Sequence, residues 1–99
     1  MKQSAILQHL RQLKPFYEKE GIVLVGLFGS HAHEKATPYS DIDIAYRIDR
    51  DIFSQKYVGG FAKLLRIEEI RSDLEKHFNA PVDLVPDTNT KTVQGLIRV

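Results

Sequence analysis

Gly21-Ile-Val-Leu-Val-Gly-Leu-Phe-Gly29-Ser30, then ten residues of mostly polar loop, then Asp41-Ile-Asp43-Ile-Ala-Tyr-Arg47: these stretches decide how the chain folds. Ile22 to Phe28 is an unbroken apolar run rich in branched residues, the pattern of a central strand buried on both faces. Gly26 inside it points to a close backbone approach. Asp41 to Arg47 alternates instead. On a strand, Asp41 and Asp43 share one face while Ile42 and Ile44 take the other. Two adjacent carboxylates repel, so the pair asks for a cation, and a hard divalent ion with oxygen ligands suits it.

Working outward, Ile6, Leu7, Leu10, Leu13 and Tyr17 recur at helical spacing, with Ser4 as the expected N-cap. Pro15 should kink or restart this helix, and Gly21 ends it. Residues 31–40 read as a short helical turn plus loop. Asp49 to Gly60 reads as irregular, punctuated by Gly59-Gly60. Phe61, Leu64, Leu65, Ile67, Ile70, Leu74 and Phe78 define a second amphipathic helix, whose Ile67–Phe78 stripe reads as core. Asn79 is its expected left-handed cap and Pro81 its stop. Pro81 to Val85 reads as a third strand, with Val82 and Leu84 on one face and Asp83 on the other. In the tail, Thr88, Asn89 or Thr90 could cap a short helix through Val93, Leu96 and Ile97. The expected order is α-β-β-α-β, an α/β (α+β) domain over residues 1–99. Its small mixed sheet has helices on one face and leaves the aspartate face open.

Composition narrows the function. With 14 basic against 13 acidic residues, net charge +1 and both signs interspersed, there is no basic face for bulk nucleic-acid binding. Without cysteine there are no disulfides or thiolate metal sites. The first residues lack the apolar core of a signal peptide, and no stretch approaches membrane-spanning length, so a cytoplasmic protein is expected.

Gly29-Ser30 follows a buried strand. Free backbone N–H groups there can bind phosphate oxygens, although a plain turn with Ser30 as cap would look the same. Asp83 adds a third carboxylate to Asp41 and Asp43, the number that two-metal phosphoryl chemistry uses. His31 and His33 could touch phosphate or simply be loop residues. A His-based zinc site lacks a third ligand. Lys35, Arg47 and Arg50 could face a triphosphate but read as solvated, and His9 and His77 as surface or packing residues.

Together, Gly29-Ser30, Asp41-Ile-Asp43 and the later Asp83 resemble the signature of the DNA polymerase β-like nucleotidyltransferases. The short gap and small size are similar to the minimal nucleotidyltransferase (MNT) branch. The resemblance runs from about Ile22 to Val85. It implies a polymerase β-like palm, with Asp41, Asp43 and Asp83 holding two Mg²⁺ ions and acting as the catalytic carboxylates. It implies nucleotide contacts from Gly29, Ser30, His31, His33 and Ser40, with ATP as substrate. It also implies a HEPN-domain toxin as partner, with AMP moved onto a tyrosine of that toxin. The family commonly reads Gly-Ser-Arg-Ala-Arg-Gly where this chain has Gly-Ser-His-Ala-His-Glu, so two fixed positive charges are replaced and Glu34 stands at the usual Gly.

Other readings stay open: a non-catalytic antitoxin that occludes its partner, or a nucleotidyltransferase acting on an aminoglycoside-like small molecule or an RNA end. An Asp-x-Asp phosphatase is disfavoured by Ala45 and by chain length, and a P-loop is absent. An oligomer is compatible with all of these.

Overall fold

The computed structural model describes residues 2–33, 37, 40–88 and 95–99. The elements in order are α1 (Gln3–Glu18), β1 (Ile22–Phe28), β2 (Ile42–Ile48), α2 (Arg50–Lys56), α3 (Gly60–Phe78), β3 (Val82–Pro86) and β4 (Ile97–Arg98). The four strands form one mixed sheet in the order β3-β2-β1-β4. β1 runs antiparallel to both β2 and β4, and β2 runs parallel to β3. A parallel pair needs a long crossover, and α2 with α3 supplies it.

The core lies between the sheet and the helices. Ile6, Leu7 and Leu10 of α1, Ile70, Leu74 and Phe78 of α3 and Phe53 of α2 pack on Ile22, Leu24, Leu27, Ile42, Ile44 and Val82. β1 reaches this arrangement through a bulge. The pairing steps from Leu24↔Tyr46 to Gly26↔Ala45, leaving Val25 without a partner on β2. The extra residue shifts the alternation, so Leu27 rather than Gly26 faces the core with Ile22 and Leu24. Gly26 meets the close approach its sequence position suggested. A Cβ there would overlap the carbonyl oxygen of Ile97 on β4.

Several expectations change. α1 begins at Gln3, with Lys2 at the N-cap and no side-chain cap, so Ser4 lies inside the helix. Its first turn is closed by Ala5 N and Ile6 N donating to the Lys2 carbonyl, and Gln3 ties the helix to the chain after β1, its Nε2 donating to the carbonyls of His31 (3.1 Å) and Ala32 (2.9 Å). Pro15 sits near the end of one helix that continues to Glu18.

The stretch expected to be irregular contains α2. Its signals are Asp49, whose Oδ1 accepts from Ile52 N at 3.4 Å, acidic Asp51 in the first turn and Lys56 in the last. The tail ends in β4, not in a helix through Leu96 and Ile97. Residues 89–94, including Asn89, Thr90 and Val93, lie outside the described residues. This two-residue strand is defined by its pairing with β1, Gly26↔Arg98 and Leu27↔Ile97, a distant partner that local pattern does not reveal.

Asn79 caps α3 in the left-handed region (φ 52°) as expected. Ile70, Leu74 and Phe78 are buried and Ile67 partly so, but Phe61 is 81% and Leu64 70% exposed. The Ile67–Phe78 stripe is therefore core as expected, and the apolar residues before it, Phe61 and Leu64, stay exposed. Nor is the face opposite the helices open along its length: Ala45 is buried and Asp43 half-buried, whereas Asp41, Arg47 and Asp83 are exposed.

A polar clasp joins the helices at one edge. Arg66 of α3 grips Glu20 with two hydrogen bonds, Nε to Oε1 (2.8 Å) and Nη2 to Oε2 (2.7 Å). The Tyr57 hydroxyl, just after α2, donates to the same carboxylate.

Candidate active site

The parallel β2–β3 pairing places Asp43 directly opposite Asp83, between the pairs Ile42↔Val82 and Ile44↔Leu84. The isoleucines, Val82 and Leu84 pack into the core and force both carboxylates to the other face. On the other side of β2, Asp43 pairs with Phe28, the last residue of β1. The Gly29-Ser30 turn thus begins one residue beyond Asp43's cross-strand neighbour.

Gly29 has φ +76°, and a Cβ there would overlap Asp43 Oδ2. The carboxylate lies against the glycine backbone, in space that only glycine leaves empty. The chain then turns, His33 N donating to Gly29 O at 3.2 Å. Asp41 precedes β2 instead of belonging to it. It is exposed, and Ile42 N fixes the adjoining backbone through the Pro81 carbonyl at 2.8 Å.

The electrostatics follow from this packing. Burial pushes the Asp43 carboxyl above its ordinary value. The nearby charges of Asp83 and Asp41 push the same way, and His31 opposes them. A cation among these groups would relieve the cost. Three carboxylates are the hard oxygen donors that a divalent ion such as Mg²⁺ takes, so the donor set fits that ion. Among the described residues, however, no three such side chains are drawn together into a closed ligand shell.

His31 is 8% exposed, and its Nε2 lies 3.4 Å from the Ser40 carbonyl oxygen. It is therefore not a free loop histidine. It spans the start and end of the connection from β1 to β2, beside Asp43. Ser40 is half-buried, and its Oγ accepts from Thr37 N at 2.9 Å. His33 is exposed, its ring lying over Gly95. Ser30 is half-buried in the turn. Glu34 and Lys35 lie outside the described residues.

Arg47 and Arg50 belong elsewhere. Both line a cavity toward the far end of β2, where Arg47 pairs with Asp87 (2.7 Å). Sequence reading missed Gln3, which fastens the His31–Ala32 backbone to α1. No local pattern links position 3 to position 31, so no signal was there to find.

The arrangement is a glycine turn at the end of inner strand β1, beside two opposed carboxylates and a third nearby. It can receive phosphate oxygens at the turn and positive charge at the carboxylates. A family model, described as polymerase beta, nucleotidyltransferase, matches residues 11–98. The chain therefore belongs to that family, and its small α+β architecture with a four-stranded mixed sheet accords with it. No curated protein and no solved structure matches the chain. No helix among the described residues is long and apolar enough to cross a membrane.

Proposed function

We propose that this nucleotidyltransferase-family chain transfers AMP from ATP to a hydroxyl of a partner protein, as an antitoxin acting on a tyrosine of a HEPN-domain toxin. The observation that carries nucleotidyl transfer is Asp43, opposed by Asp83 across β2–β3 and lying against Gly29. The antitoxin role and partner rest on the resemblance of the signature to the minimal branch.

Asp41, Asp43 and Asp83 would hold divalent cations, whose chemistry when bound is to neutralise charge on the triphosphate. The chain's own groups do the rest. Backbone N–H groups after Gly29 meet phosphate oxygens. Gly29 lets the substrate and Asp43 come together without a side chain between them. The acceptor oxygen attacks the α-phosphorus, the bond to the β-phosphate bridging oxygen breaks, and pyrophosphate leaves. Asp83, exposed on β3, accepts the hydroxyl proton. His31 and Gln3 hold the turn in place, so the protein's contribution is chiefly positioning.

One observation favours a second reading. His31, where the family commonly has a fixed cation, is buried against the Ser40 carbonyl. A site with less positive charge suits a module that neutralises its partner by occlusion. Calorimetric titration of ATP with and without magnesium, on wild type and on the Asp41→Asn/Asp43→Asn variant, tests the leading reading. Magnesium-dependent binding lost in the variant is expected; retained binding would sink it. Partner neutralisation by that same variant would favour occlusion.

A further inference from the structure

A cavity of about 570 Å³ opens toward the other end of β2 from the carboxylates. This is within the range of roughly 300–1,000 Å³ typical of small-molecule sites. Tyr46, Phe53 and Ile67 give it apolar and aromatic wall. Phe53 and Ile67 approach from α2 and α3, and Tyr46 from the core face of β2. Its charged groups are Arg47, Arg50, Lys63 and Asp87. Asp87 is engaged by Arg47, through Nε at 2.8 Å and Nη2 at 2.7 Å. Among the described residues, Lys63 Nζ donates only to a neutral group of the wall, the Ser54 hydroxyl, at 3.1 Å. The charges of Arg50 and Lys63 are thus answered by no carboxylate of the cavity.

We propose that this cavity is a second ligand site, distinct from the carboxylate site, for a small organic anion with an aromatic or aliphatic body. The body lies against Phe53, Ile67 and Tyr46, where filling the cavity removes apolar surface from water. The anionic head takes charge-assisted hydrogen bonds from Lys63 and Arg50. The Arg47–Asp87 pair keeps the wall from collapsing, because it ties the end of β2 to the turn after β3. The sign of the site is opposite to that of the Asp41, Asp43 and Asp83 end, so a free cation or a metal is not its occupant.

The test uses the full chain and two probes, anilinonaphthalene sulfonate and its uncharged relative N-phenylnaphthylamine. Fluorescence titration should show one saturable site for the sulfonate, with weaker binding of the neutral amine. Amide shifts in a heteronuclear NMR titration should centre on Phe53, Ser54, Lys63, Ile67 and Thr88. Arg50→Ala with Lys63→Ala should weaken sulfonate binding roughly fivefold or more, and Arg50→Lys with Lys63→Arg should retain most of it. The NMR spectrum shows whether each variant is folded. The proposal is overturned by equal affinity for the two probes, by an unchanged alanine variant, by the absence of saturable binding, or by shifts confined to exposed Val58, Phe61 and Leu64.

Discussion

Asp43 and Asp83 face each other across the parallel β2–β3 pair, and Asp43 is half-buried against the Gly29 backbone. Burial, then Asp83 and Asp41, raise the Asp43 carboxyl above its ordinary value of 3.8. The folded state therefore keeps a proton that the unfolded chain has already lost. Stability contributed by this group falls as pH rises through the interval from that ordinary value to the raised one, and stays low above it. Asp43→Asn should melt a few degrees higher than wild type at neutral pH without metal, the gap closing below the ordinary carboxyl value. Thermal melts of both proteins across pH check this; a lower melting point for the variant at neutral pH would contradict it. The same variant should lose nucleotide transfer.

Gly29→Ala places a Cβ at φ +76° and onto Asp43 Oδ2. A loss of about 1–3 kcal/mol is expected from the backbone conformation, with magnesium-dependent ATP binding lost as well. Gly60→Ala is the control, since a Cβ there meets nothing within 4 Å. Urea unfolding of the two variants should separate them clearly.

Glu20 is held below its ordinary value of 4.5, first by its hydrogen bonds from Arg66. Here the sign is reversed: the clasp's contribution is complete above the ordinary value and is lost as pH falls through the lowered one. Glu20→Gln should cost about 1–3 kcal/mol at neutral pH, the scale of hydrogen bonds to charged groups. Wild type and variant should converge in acid. Denaturant titrations at neutral and acidic pH measure both effects.

α3 offers a matched pair of leucines. Leu74 is fully buried, whereas Leu64 is 70% exposed. Leu74→Ala should cost about 2–5 kcal/mol, while Leu64→Ala should stay within about 0.5 kcal/mol of wild type. Equal losses, measured by chemical denaturation, would mean that Leu64 is packed against something in solution.

Much was written locally in the chain. The branched run Ile22–Phe28 and the alternation from Asp41 give β1 and β2 because periodicity records which side chains are buried. Asn79 before Pro81 marks the end of α3 because only a few residues tolerate the left-handed cap. Gly26 announced a close approach, and Gly29-Ser30, Asp41, Asp43 and Asp83 stood out as one chemical set.

Other features depended on distant partners. Local pattern alone did not reveal the β4 strand, which forms only because Gly26 leaves room for Ile97 and β1 offers a free edge. Phe61 and Leu64 share the helical period of Leu74, yet pattern could not show that they stay exposed, since burial depends on what packs there. The sequence by itself determined the kinds of elements and the residues able to carry the chemistry, because those follow from local periodicity and side-chain type. Only the tertiary structure decided that Asp83 stands opposite Asp43, that His31 is buried beside them, and that Arg47 and Arg50 lie toward the other end of β2. Strand order and register are set by core packing between segments far apart in the chain, and no local pattern encodes them.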